Sequence, residues 1–480
     1  MRSQAYLTLS GALRAIQLTS LVLALAVPFA GCGGDDDDDS TAVGPKPDGG
    51  TKNGQGDDGN GDLDASYARP ITVDAGMDEP GDPPAELADQ SCAVDTNKLY
   101  DLITFDRLPE PTRLGVDVVD SRFALAYVDK SEACIDAVYV AELDGAVGAG
   151  APKPVLAIDP CSIVDRAAVE YDGKHWLLGT IDARKDMRDL WVQELDVGSK
   201  HEYDAYNVTD SAAAEREFAL LSLGEDGVLA AWVEDDGVVG GAARLKTRML
   251  SASGKPEGEP SDLEQPEDVA WTISGLSMAA LGTDYVGLVY RRADNEGRAE
   301  LVLDVLSRGG ERDRDPWVLS EQAGAYGTID VAAGDNGAGA IYSIVQGTSE
   351  QLWFQGLGLD GKAVSVTTGG QTGGPAEARR IVSPPYKASD ASLVKLPNGF
   401  AVAYRALPGG DVTSARIRVH FLDNFGRILD KSDVALAEPQ GGRTAIKVAY
   451  DGRVVIGWSD TDDAGKTTLT TIKLPCVGAP

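Results

Sequence analysis

Histidine is nearly absent: three in 480 residues, His175, His201 and His420, far apart in the chain. That scarcity removes the commonest general base and metal ligand from most of the sequence, and each of the three is read as non-functional. There is no HExxH, no GxSxG and no GxxxxGK[ST], so no zinc-peptidase helix, nucleophile elbow or phosphate loop is expected. Cysteine is scarce too, with five residues and no CxxC pair. This argues against redox catalysis and structural zinc. Basic side chains are few: 43 Lys and Arg against 76 Asp and Glu, a formal charge of −33. Such a balance disfavours nucleic acid and anionic lipid as partners. Long helical patterning is missing throughout the chain beyond its first forty residues.

What is there begins with an export signal. Arg2 and Arg14 precede a mostly apolar stretch from Ile16 to Ala30, and Gly31 and Cys32 follow at once. A basic start, a short apolar core and small residues before a cut make a secretory signal. The stretch is short for a membrane span of about 20 residues. Ala30, Gly31 and Cys32 resemble the end of bacterial lipoprotein signals, with Phe29 departing from the usual aliphatic residue. The resemblance covers residues 1–32. It implies a diacylglycerol on Cys32, a palmitate-type acyl anchor in the lipid bilayer, and a location in the bacterial cell envelope. Gly33 in place of Asp favours the outer membrane by the same analogy. Residues 32–88 are Gly, Asp, Pro and small residues, too poor in apolar surface to offset ordering entropy. They are read as a flexible acidic tether.

Residues 89–480 read as an all-β domain built from repeats. Seven apolar segments end at Tyr127, Gly179, Trp232, Tyr290, Tyr342, Tyr404 and Trp458, with gaps of 52, 53, 58, 52, 62 and 54 residues. Alternating partner strands follow, for example Ile417–Leu422, where alternation with apolar neighbours places His420 on the solvent-facing side. Units of this length with short antiparallel strands suit a β-propeller, here of seven blades of about four strands. No WD ending, kelch double glycine or Ser-x-Asp-x-Gly-x-Thr-Trp box marks a functional family. Ala and Gly inside the apolar segments are expected where strands approach closely. The seventh unit lacks an outer strand, and Lys98–Phe105 is the patterned candidate to complete it. In an exported chain, Cys92, Cys134, Cys161 and Cys476 allow three disulfide pairings. Ring closure favours Cys92–Cys476 with Cys134–Cys161.

Acidic residues cluster after several apolar segments: Asp182, Asp186 and Asp189; Glu234, Asp235 and Asp236; Asp294 and Glu296; Asp460, Asp462 and Asp463. The last three are the best candidate for Ca²⁺, which wants several oxygen ligands; a solvated face is the plainer account, and no other cofactor is expected. The leading functional expectation is a non-enzymatic binding or scaffold role toward a protein or glycan. The alternative is a carbohydrate-active hydrolase or lyase using channel carboxylates. Paired carboxyls with raised pKa in the channel would favour the enzyme, and an exposed aromatic patch would favour the binder.

Overall fold

The chain divides into two units, Met1–Val73 and Asp74–Pro480. The computed structural model describes residues between Tyr100 and Leu474, with breaks of which 359–377 is the longest. The signal, Cys32, the tether, His201, Asp186, Asp236, Asp462 and Asp463 lie outside the described residues. So do Cys92, Cys134 and Cys476.

The described part of the second unit is a seven-bladed β-propeller. It holds seven antiparallel sheets of four strands. Blades 1 to 6 each follow chain order from an inner strand outwards. Their inner strands are Leu114–Val119, Val164–Tyr171, Ala214–Ser222, Thr272–Leu281, Ala325–Gly334 and Tyr386–Leu396. Blade 7 begins with Ile446–Tyr450, runs through Val454–Thr461 and Thr467–Leu474, and is completed by Tyr100–Phe105 from the other end of the domain. Consecutive inner strands are neighbours, and that of blade 7 returns to that of blade 1. The expected closure by an N-terminal strand is therefore present.

The second strand of each blade explains the apolar segments. It is buried on both faces, as in Val228–Asp235 and Gly399–Pro408. A strand of this kind reads as a continuous apolar run. In blade 6, Phe400, Val402 and Tyr404 pack toward blade 5, while Ala401 and Ala403 pack toward blade 7. Six apolar clusters form in this way, each drawn from two consecutive blades. Trp232, Tyr290, Phe354, Phe400 and Trp458 are the large buried anchors, each contributing about 1.5–3 kcal/mol by burial. Small residues serve a different approach from the one expected. A side chain at Gly179 would collide with the Phe218 ring of blade 3, and one at Gly339 with Phe354 and Phe400. They make room for aromatic rings packed between the blades.

Two expectations are corrected. Only one cysteine, Cys161, falls among the described residues. It is bonded as half of a disulfide, but no bridge with both ends described is found, so neither pairing is established. No helix among the described residues is long and apolar enough to cross a membrane.

Between blades 2 and 3, Glu215 is fully buried, and its Oε2 has no hydrogen-bond partner. Ser211 Oγ donates to its Oε1 at 3.1 Å. Burial, then the charge of Asp189, pushes the Glu215 carboxyl up to about 8 from 4.5. The folded state thus binds this proton more tightly than the unfolded chain. Its contribution is complete below the unfolded pKa and is lost as pH rises through the folded one. Glu215→Gln is expected to flatten the fall in melting temperature between about pH 5 and 8 relative to the unaltered protein. Parallel curves would show that Glu215 ionises normally.

Candidate functional site

Each inner strand is the edge of its sheet, with backbone N–H groups facing the next blade rather than a strand partner. At six junctions a side chain from one blade accepts them. Asp117 accepts from Tyr171 N at 3.2 Å, and Glu170 from Ser222 N at 2.8 Å. Glu217 takes Gly275 N and Leu276 N at 2.9 and 3.3 Å. Ser277 Oγ accepts from Val331 N at 3.1 Å and donates to Asp330 Oδ1 at 2.9 Å. Asp330 Oδ2 accepts from Leu393 N at 2.9 Å and from Ser392 Oγ at 3.0 Å. Ser392 Oγ then accepts from Val448 N at 3.3 Å. At the remaining junction stands Lys447. The carboxylates of Asp330, Asp117 and Glu170 raise its pKa against the opposing effect of burial. Glu170 is itself shifted well upward, by burial first and the Asp117 charge second. These channel carboxylates are thus engaged in holding blades together.

Nearer one end of the ring a different pair appears. The inner strands of blades 4 and 6 share a pattern: Ser274-Gly275-Leu276-Ser277 and Ser389-Asp390-Ala391-Ser392. In both, the first serine pairs with an arginine on the second strand, Arg291 or Arg405, and the register then shifts at a bulge. The second position is left-handed in each, with φ +71° at Gly275 and 50° at Asp390. Glycine adopts this conformation freely, whereas a residue with a Cβ is strained there. Blade 4 shows that the bulge needs only glycine, so Asp390 holds a conformation the fold does not demand of a carboxylate. Such an outlier points toward function.

Three groups surround Asp390. Ser389 Oγ donates to its Oδ2 at 3.0 Å. Burial raises its pKa, while the Ser389 hydrogen bond and the Arg405 charge lower it. Glu350, at the start of the third strand of blade 5 (Ser349–Leu357), senses the Asp390 charge. Its pKa rises by burial first; the Ser343 hydrogen bond of 2.6 Å and Lys387 oppose this. Both carboxylates keep part of their surface open to solvent. Gly327 fits beside them because a Cβ there would strike Glu350 Oε1 and Ser343 Oγ. Paired titratable groups with environments that shift them are the signature of acid–base chemistry.

The residues singled out from sequence fare differently. Asp182 is buried and ion-paired with Arg184 at 2.6 Å. Glu234 pairs with Lys246 at 3.0 Å, and Asp235 with Arg216 at 2.7 Å. Asp189 is held by Asn207 at 2.9 Å, and Asp294 closes a turn onto Glu296 N and Arg298 N. Of the Ca²⁺ candidates, only the backbone of Asp460 is described, paired with Thr468. Among the described residues no group of three or more His, Cys, Asp or Glu is arranged to hold a metal. His175 lies 3.2 Å from Glu194. His420 was expected to face solvent, but it is buried against Tyr404 at 2.7 Å. Sequence reasoning missed Glu350, Asp390 and Arg405. The repeated Ser-x-x-Ser and Tyr-Arg pairs were the available signal.

No family model matches the sequence, and no curated protein is similar to it. Solved structures of similar strand arrangement include the phage phi92 endosialidase, at 9% identity and TM-score 0.44, covering 78% of this chain and 68% of that one. They also include an endo-arabinase from Bacteroides thetaiotaomicron, at 11% and 0.35, covering 56% and 99%. A prolyl endopeptidase is similar at 16% and 0.43, covering 78% of this chain and about half, 48%, of its own. All three are named as enzymes, but TM-scores below 0.5 carry no argument about activity. The correction to the expected non-enzymatic binding or scaffold role comes from the chain's own carboxyls. The shifted Glu350–Asp390 pair is the feature set out above as favouring an enzyme. The exposed large apolar residues among those described are Leu156, Ile163, Met187 and Val318.

If Asp390 is kept for chemistry, removing its side chain relieves strain. Asp390→Gly is expected to leave stability unchanged or raise it by up to about 1 kcal/mol in denaturant unfolding, the balance between left-handed strain and glycine's chain entropy. A loss above about 1 kcal/mol would make Asp390 a structural support.

Proposed function

We propose that this domain is a carbohydrate-active hydrolase or lyase whose acid–base pair is Glu350 and Asp390. The observation that supports it most is the pairing of two part-buried carboxyls, both raised by burial, one facing an acidic neighbour and the other beside Arg405. Glu350 is raised by burial and by its acidic neighbour, and so favours the protonated form. Burial raises Asp390 as well, opposed by the Ser389 hydrogen bond and then by the charge of Arg405, and Arg405 is the group that stabilises its ionised form. Glycoside cleavage needs this division: one carboxyl protonates the leaving oxygen while the other acts as base or nucleophile on the opposite side. In a lyase the same division would let Asp390 take a proton from a carbon and Glu350 protonate the departing oxygen.

The test is a screen of polysaccharides and oligosaccharides for new reducing ends or unsaturated products. On whichever substrate is cleaved, Glu350→Gln and Asp390→Asn should each lower kcat by about 10²–10⁴-fold. The pH profile should be bell-shaped. Its acid limb follows protonation of Asp390, and its alkaline limb follows ionisation of Glu350. Glu350→Gln should abolish the alkaline limb. Full activity in both variants would refute the assignment.

The reading includes export. An acyl chain on Cys32 would hold the propeller at the envelope, in the outer membrane, on a tether of residues 32–88. Several acyl chains anchor stably where one does not. Mass spectrometry of the mature N-terminal peptide should show acylated Cys32. A mature N-terminus elsewhere, or an unmodified cysteine, would remove the anchor.

A further inference from the structure

Arg405 is 7% exposed, and neither its Nε nor its Nη2 has a hydrogen-bond partner. These two donors are costly, because they have lost water without gaining acceptors, although the charge lies beside Asp390. Its place is informative. It stands on the second strand of blade 6 directly opposite Ser389, next to the left-handed Asp390. The corresponding Arg291 of blade 4 is half-buried, and its Nε is likewise without a partner. The surroundings have a sign of their own. Blade 6, Tyr386–Ala437, carries seven Lys and Arg against five Asp, whereas blade 3, Ala214–Glu264, carries five against eleven Asp and Glu. In a chain of charge −33, a locally basic blade opens the acidic field for an anion.

We propose that Arg405 binds an anionic group of the substrate, so that the glycan is a charged one bearing a carboxylate or a sulfate ester. A planar guanidinium presents its donors in a fork that matches two oxygens of such a group. The anion completes the hydrogen bonds Arg405 lacks and sets the adjoining sugar linkage beside Asp390 and Glu350. Arg405 is then a specificity residue. This inference rests on the glycan-cleaving reading, and deepens it by naming the substrate class.

Calorimetric titration of the full chain tests it without requiring turnover. The probes are glucuronate disaccharide, the sulfated neutral disaccharide and the unmodified neutral disaccharide, each against the unaltered protein, Arg405→Met, Arg405→Lys and Glu350→Gln. The expected result is that one or both charged probes bind more tightly than the neutral one. Arg405→Met should weaken the charged probe by about 10- to 100-fold, as for loss of a charged hydrogen-bonding partner. It should leave the neutral probe unchanged, and Glu350→Gln should keep the preference. Whichever of the two charged probes loses affinity identifies the group. The melting temperature of Arg405→Met should show that it keeps its fold, and Arg405→Lys should retain part of the preference. Equal binding of all three probes, or an unchanged preference in Arg405→Met, overturns the proposal. If neutral glycans are nevertheless cleaved in a Glu350-dependent way, the enzyme reading survives that failure. Charged-probe binding that needs Arg405, without cleavage of any glycan, would instead sink the enzyme reading alone.

Discussion

The ring depends on one repeated bond, from a side chain of one inner strand to the backbone N–H of the next. Four-stranded sheets arranged around an axis leave seven inner edges, and an edge presents unpaired donors that must find acceptors. Lateral strand pairing cannot supply them, because neighbouring blades meet face to face. Asp117, Glu170, Glu217, Ser277, Asp330 and Ser392 supply them instead. The chain Ser277–Asp330–Ser392–Val448 joins four blades in one run. The apolar clusters between blades then give the bulk of the stabilisation, while these bonds fix where each blade sits about the axis.

This arrangement changes what a channel carboxylate means. An acid near the axis of a propeller is a natural candidate for catalysis, yet Asp330 accepts from two serines and a backbone N–H and is nearly buried. Its geometry is that of a fastening. Asp390 differs in each respect: it has a single serine donor on its own strand, a left-handed backbone, and a partly open surface. Comparison between blades is what separates the two roles. Gly275 occupies the same bulge in blade 4 and suffices for the fold, so the strain at Asp390 has to be explained by something other than architecture.

The ring was legible in the sequence because its second strands are buried on both sides. An apolar run such as Val228–Trp232 recurs with each blade, and the missing outer strand of blade 7 pointed to the N-terminal side of the domain. The same logic failed at His420. Its alternation with apolar neighbours looked like one wet face, but a third strand between two packed blades has both faces covered. The acidic loops misled for an electrostatic reason: Asp182 and Glu234 are conspicuous in sequence, yet each has a cation to neutralise it. Asp390 was hidden because a bulge breaks the period-two pattern at the residue that matters. Glu350 was hidden because its partner lies in the following blade.

Three departures from the ordinary rules meet in blade 6. A left-handed aspartate, a buried guanidinium with two unpartnered nitrogens and a locally basic sequence all occur within Tyr386–Ala437. The buried acids of blade 4 show the ordinary pattern: Glu300 and Asp304 are fully buried and meet Arg292 and Arg312 at 2.7 Å. Local rules are broken together where function opposes stability, and the surrounding structure must be rigid enough to hold the exception. Blade 6 has that support: Phe400, Val402 and Tyr404 are locked against blade 5, and Ala401 and Ala403 against blade 7. The two arrangements are thus one design. Apolar contact on both faces keeps the blade in place, and its mouth-facing edge is left free to hold charges that would not stay there on packing grounds alone.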